Sequence, residues 1–300
     1  MTMQKLGLNT LCKIFALAAM AIVAGCVPLK YSGGTGEQNA PYIIASFEDL
    51  LAFAADLNDY SAYVLITADI DLAPNLPGRK EFTSAVISGR GFSGRLDGAG
   101  HRIRNLTIDT GGSGKNFLGL IGFLNGGEIK NLNVENITIK AGENSDYLGG
   151  LAGFNNKGKI ANCSTTGDIS GGDSCDSVGG LVGDNFYGII SNCYSRCYVS
   201  GGVSSSNIGG LAGRNIGTIS DCFARGTVKA ATFSMWIGGL AGSNNGHISN
   251  CYSTGAVTAG ENSYNLGGLV GDNLNGTITN CFSMTSPRII ALLFRRQAAF

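Results

Sequence analysis

One phrase recurs down this chain and constrains its fold more than anything else in it. It reads IGGLAGRNIGTISDCFARG, then IGGLAGSNNGHISNCYSTG, then LGGLVGDNLNGTITNCFSM. The central leucines are Leu120, Leu151, Leu181, Leu211, Leu240 and Leu269, so the period is 29 to 31 residues. A fixed period of that length marks one supersecondary unit stacked many times. Glycine makes up 47 of 300 residues and proline only 5. That balance suits tight turns between short strands, not a disordered linker.

The second half of the unit sets the geometry. Ile103, Ile129, Ile160, Ile190, Ile219, Ile248 and Ile278 align in one column. Three residues later come Leu106, Leu132, Cys163, Cys193, Cys222, Cys251 and Cys281. Both columns are apolar and belong in a core, yet a spacing of three puts residues on opposite faces of a straight strand. The chain must bend between them. The residue before the second column is Asn105, Asn131, Asn162, Asn192, Asp221, Asn250 or Asn280, and Asn and Asp tolerate the left-handed backbone such a bend needs. A third apolar column, Ile169, Val199, Val228 and Val257, follows six residues past the cysteines. Each unit therefore supplies three short extended pieces, too short for helices. Stacked in register, they predict an all-β fold: a right-handed parallel β-helix, or β-solenoid, of about seven coils. Leu and Cys interchange in one column, as apolar packing allows and as ligands or nucleophiles would not. In-register Cβ atoms roughly 5 Å apart exceed the ~3.5–4.5 Å of a relaxed disulfide, so these five are expected to be buried thiols. Cys175 and Cys197 lie off the column and are expected to be unpaired.

The ends differ from the body. Ser46 to Asn58 predicts an amphipathic helix with Ser46 and Asp49 as a capping box and Leu50, Leu51, Phe53, Ala54 and Leu57 as its apolar face. A strand is expected from Tyr63. Together they form an N-terminal cap. At the other end Pro287 falls in the Val257 column, and the sequence from Ile289 matches nothing upstream. It reads as a cap, a membrane-associating tail, or a truncated or frameshifted end.

The first residues are an export signal. Lys5 and Lys13 precede the apolar run Ile14 to Val23, which is too short to span a bilayer. The run ends in Val23-Ala24-Gly25-Cys26, which resembles the bacterial lipoprotein signal, in which the cysteine is lipidated. The alternative is an ordinary cleaved signal with an incidental cysteine. The resemblance implies a membrane-anchored protein, and Val27 in place of Asp favours the outer membrane. The expected organisation is a signal peptide over 1–25, a linker and cap over 26–80, the solenoid over 81–284 and a non-repeat tail over 285–300. Net charge is zero with 14 % charged residues, which argues against nucleic acid as a partner.

The recurring GGLAG or GGLVG followed by ISNCYSTG resembles the GLUG repeat of bacterial exported and surface proteins. The stretch ADIDL…FSGRLDGAGHRIRNLTI is similar to the lead-in of such repeats, so the resemblance covers roughly residues 40 to 284. It implies an extracytoplasmic, often adhesive protein and carries no catalytic motif. The chain is expected not to be an enzyme and to need no cofactor or metal. The rival is a carbohydrate-active enzyme on the same fold. Glycoside hydrolysis needs two carboxyls about 5–9.5 Å apart. Asp184 and Asp272 share a repeat position, occupied elsewhere by Phe154, Arg214 and Ser243 as if it faced outward; three coils separate them by about 14 Å. Asp69 and Asp71 lie on one strand face and suit a solvated edge better than a cation site. His101 and His247 have no metal-ligand spacing. One surface feature remains. Tyr194, Phe223, Tyr252 and Phe282 follow the Cys column where earlier units carry Thr107, Asn133 and Ser164. Four aromatics in an outer column stabilise the ladder, or bind sugar rings or a cell-surface protein.

Overall fold

The computed structural model describes residues 29–290. The signal segment with Cys26, and residues 291–300 of the tail, lie outside the described residues. One turn runs through the strands Asp146–Gly149, Ala152–Asn156, Lys159–Ala161 and Ser164–Ser170. The next turn places its strands on these one register along, each pair parallel. Repetition builds four walls, of five, six, nine and thirteen strands. The fold is a parallel β-solenoid of about eight turns with one small α-helix among the described residues.

Two expectations are refined. Each turn has four stations where three were expected, because the Gly-Leu-Gly phrase contributes strands on both sides of its leucine. The described turns are about eight, not seven, because parallel pairing starts early. Tyr42–Ile44 pairs with Tyr63–Ile66, which pairs with Arg95–Asp97. The first two of these strands precede residue 81 and carry no GLUG phrase. An apolar inward column suffices there, with Val64 and Leu96 both buried. At the far end Arg288–Ile290 still pairs with Val257–Gly260, past the expected boundary at 284.

The column bend holds. Asn131, Asn162, Asn192, Asp221, Asn250 and Asn280 all have φ between 53° and 55°. Ile129, Ile160, Ile190, Ile219 and Ile248 are buried in register. Ile103 and Leu106 are the exception. The partner of Ile129 one turn earlier is Leu96, while Ile103 pairs with Ile70 and Val134 in the thirteen-stranded wall. The cause is local. IRNL at 103–106 and IKNL at 129–132 are nearly the same phrase, and both bend at a left-handed Asn, Asn105 having φ 60°. They occupy different corners, which the phrase alone does not distinguish.

Three ladders run through the interior. The thiols form one. Cys163 N–H donates to Cys193 Sγ at 3.3 Å, and the same contact links Cys193 to Cys222, Cys222 to Cys251 and Cys251 to Cys281 at 3.3–3.4 Å. Each thiol donates to the carbonyl two residues back at 3.0–3.2 Å. The left-handed corner turns the cysteine N–H away from the strand ladder, and sulfur accepts it. Asparagines form the second: the amide of Asn155 donates to Asn185, Asn185 to Asn215, Asn215 to Asn244 and Asn244 to Asn273, at 2.7–2.8 Å. Next to Asn155 the column holds Leu124, so the Asn155 Oδ1 is buried without a partner. Cys175 belongs to a third ladder, of buried hydroxyls, and its N–H donates to Ser205 Oγ at 3.2 Å. All seven described cysteines are free, six of them buried. Burial pushes the Cys175 and Cys197 thiols up to about 11.

The repeated glycines serve close approach. A Cβ on Gly153 would stand 2.6 Å from the Tyr147 carbonyl and 2.7 Å from the Phe117 backbone, so the five- and six-stranded walls meet nearly backbone to backbone. At the N-terminal end the helix Phe47–Ala55 buries Phe47, Leu50 and Phe53. Ser46 Oγ accepts from Asp49 N–H at 3.1 Å, and the Asp49 carboxylate accepts from Ala45 N–H at 3.0 Å. Leu57 lies beyond the helix and is exposed, while Phe47 takes its expected place in the core. The C-terminal turn has no such cover among the described residues: Leu266, Leu269, Val270 and Ile278 are only partly buried.

Candidate binding surface

The outer face of the thirteen-stranded wall carries the aromatic column. Side chains alternate along a strand, so Tyr194, with Ser195 turned inward and fully buried, must face out. Parallel register then sets Tyr194 on Phe223, Phe223 on Tyr252 and Tyr252 on Phe282. The rings stack at centroid separations of 4.9, 5.0 and 5.2 Å, with planes within 10° of parallel. Tyr194, Phe223 and Tyr252 are half-buried and Phe282 is exposed. Ahead of Tyr194 the column holds Ser164, Asn133 and Arg102. Thr107, expected there, instead pairs with Thr138, as part of the same register correction.

Two arginines adjoin the column and are not among the expected site residues. Arg196 and Arg225 stand two residues past an aromatic and so share its face. The Arg196 guanidinium lies 5.2 Å from the Tyr194 centroid. The Arg225 guanidinium lies 4.7 Å from Phe223 and 5.5 Å from Tyr252, and donates to the Tyr252 hydroxyl at 2.7 Å. The aromatic-x-Arg spacing in two successive units was the available signal. In the N-terminal part of the same wall two cations are paired, Arg102 with Glu135 at 3.5 Å and Arg104 with Asp69 at 3.3 Å, while Lys140 is exposed.

The other candidates do not assemble. Asp184 faces no solvent. It is fully buried, bonded through Oδ2 to the Arg214 guanidinium, with Nε at 2.9 Å, while its Oδ1 has no partner. Burial raises its carboxyl above the ordinary range, against the lowering by Arg214. The position was expected to face outward; the adjoining five-stranded wall covers it. Asp272 lies three turns on in the same column, with Arg214 and Ser243 between. Asp69 accepts from Arg102 N–H at 3.0 Å, and Asp71 from the Asn105 amide at 2.8 Å, so both carboxylates serve corners. Among the described residues there is no cluster of three His, Cys, Asp or Glu suited to a metal, and no helix long and apolar enough to cross a membrane. One depression, of about 470 Å³, is an open groove lined by Asp71, Asn105, Asn136 and Thr138 among others.

The comparisons agree with the repeat. The GLUG motif matches residues 144–170, 204–229 and 237–258, so these three segments carry GLUG repeats. A 120-residue stretch is 32% identical to halomucin of Haloquadratum walsbyi, covering 37% of this chain and 1% of that protein. In fold the chain is similar to a candidate immunoglobulin A1 protease from Bacteroides ovatus, known from a crystal structure. The TM-score is 0.61 and the identity 23%, over 86% of this chain and 80% of the other. At that identity the likeness concerns the fold alone.

Proposed function

We propose that this protein is an exported, lipid-anchored β-solenoid that serves as a structural or adhesive surface-binding module. Cys26 carries the anchor and holds the protein at the outer membrane or cell surface. The turns display a wall whose ligand is a glycan or a cell-surface protein, and no reaction is assigned to it. The observation that supports this reading is the outer column Tyr194, Phe223, Tyr252 and Phe282. It sets four aromatics on one exposed wall where earlier turns carry Arg102, Asn133 and Ser164. The Tyr194→Ser, Tyr252→Ser double variant tests it. It should fold and lose binding in a glycan-array or cell-adhesion assay; unchanged binding would assign the column to stability alone. Cys26→Ser tests the anchor: the protein should leave the membrane fraction, and a lipid-free mature wild type by mass spectrometry would contradict it.

A further inference from the structure

We propose that the ligand of the aromatic wall is an acidic polysaccharide, a linear glycan bearing carboxylate or sulfate groups; the inference rests on the binding reading above and names its chemistry. The argument begins with ring orientation. An aromatic ring is electronegative on its faces and electropositive at its edge. In this column the faces are spent on one another, at 4.9 to 5.2 Å with near-parallel planes. A neutral sugar that stacks on ring faces finds them only at the two ends of the stack. What the wall presents along its length is a line of positive edges and phenol hydroxyls.

Cations reinforce that line. The guanidiniums of Arg196 and Arg225 lie against the rings, and among the described residues no carboxylate lies within 4.0 Å of either. Lys229 and Arg288 extend the same face, in one register column on either side of Thr258. From Tyr194 to Ile290 the strands of this wall contain no Asp or Glu. Four cations along strands without acids suit a negative polymer.

The surroundings select a glycan among anions. Ser200, Thr254 and Thr258 flank the cations with hydroxyls, which match sugar hydroxyls, while the exposed Tyr198, Phe282 and Met284 lie at the margins of the patch. Four cations on a chain of zero net charge are few for tracking a phosphate backbone, whose affinity comes from neutralising many charges.

The test uses the mature, full-length protein and matched polymers. Polygalacturonate is compared with its methyl ester, and dextran sulfate with dextran; poly-glutamate and duplex DNA complete the set. The Arg196→Gln, Arg225→Gln variant is measured alongside, with circular dichroism and thermal melting to confirm its fold. Binding to polygalacturonate or dextran sulfate should exceed that to the neutral partner by at least about tenfold. It should weaken as salt rises from about 0.05 M to about 0.5 M and fall at least about tenfold in the folded variant. Equal binding to the neutral polymers, an unchanged arginine variant, or preference for poly-glutamate or DNA would overturn the proposal. If a neutral glycan is held and released by the Tyr194→Ser, Tyr252→Ser change, the binding reading stands and the acidic ligand falls. If no polymer and no cell surface is held, both fall.

Discussion

The thirteen-stranded wall is built in two ways along one solenoid. In its N-terminal turns two outward cations answer acids one turn away, Arg102 to Glu135 and Arg104 to Asp69, and Lys140 stays exposed. In its C-terminal turns the same face carries stacked aromatics with Arg196 and Arg225 laid against them. The inward columns barely change: Ile139, Ile169, Val199, Val228 and Val257 run through both regions, all buried. What differs is therefore not needed to hold the coil. Exposed ion pairs between turns contribute at most ~1 kcal/mol each, and outer aromatic pairs about 0.2–1 kcal/mol. The first arrangement neutralises most of its own charge; the second leaves it available.

If the core is common to both regions, damage to it should be equally severe in each. Ile219→Asp and Ile129→Asp each place a carboxylate among fully buried side chains, at a cost on the order of 4 kcal/mol. Urea unfolding should show both variants as mostly unfolded; a tolerated Ile219→Asp would mean that the C-terminal turns do not share the inward column.

A smaller effect is expected at the buried pair between the five- and six-stranded walls. Arg214→Ala strands Asp184, which has no solvent contact, and should cost about 3 kcal/mol near neutral pH. Asp184→Ala should cost less, because it leaves a cation that reaches solvent. The pH dependence has a definite sign. Burial already raises the Asp184 carboxyl, and losing the guanidinium raises it further, so the folded variant binds a proton that the unfolded chain releases. Its stability should recover as pH falls through the folded value toward the ordinary carboxylate range. Melting curves across acid pH would show this; a deficit independent of pH would contradict it.

The asparagine ladder should distinguish its middle from its end. Asn215→Leu interrupts two amide contacts and should cost about 2 kcal/mol. Asn155→Leu extends the Leu124 position by one turn and moves the unpaired acceptor from Asn155 to Asn185, so it should be nearly neutral. Equal costs would show that the ladder is not the source of the stability.

These contrasts also mark what was legible in the sequence. The solenoid, the corner asparagines and the buried cysteines follow from a three-residue spacing that only a bent chain satisfies. The early register was not legible, because IRNL and IKNL bend alike at different corners. The burial of Asp184 was not legible either. Strand alternation places it outside its own wall, and only the glycine-mediated approach of the neighbouring wall covers it. In the sequence the thiol ladder reads as packing alone, since its hydrogen bonds arise from an N–H displaced by the left-handed corner. Arg196 and Arg225 were open to discovery by their spacing from the aromatics; their unpaired charge depends on the neighbouring turns and emerges only in three dimensions.

The availability of the C-terminal part of the wall to a ligand is tested most directly by hydroxyl-radical footprinting of the mature protein with and without saturating polygalacturonate, read residue by residue by mass spectrometry. The account predicts protection of Tyr194, Phe223, Tyr252 and Phe282, with Phe117 and Tyr147, which stack on each other away from this wall, unchanged. Protection spread evenly over both groups, or confined to Phe117 and Tyr147, would contradict it.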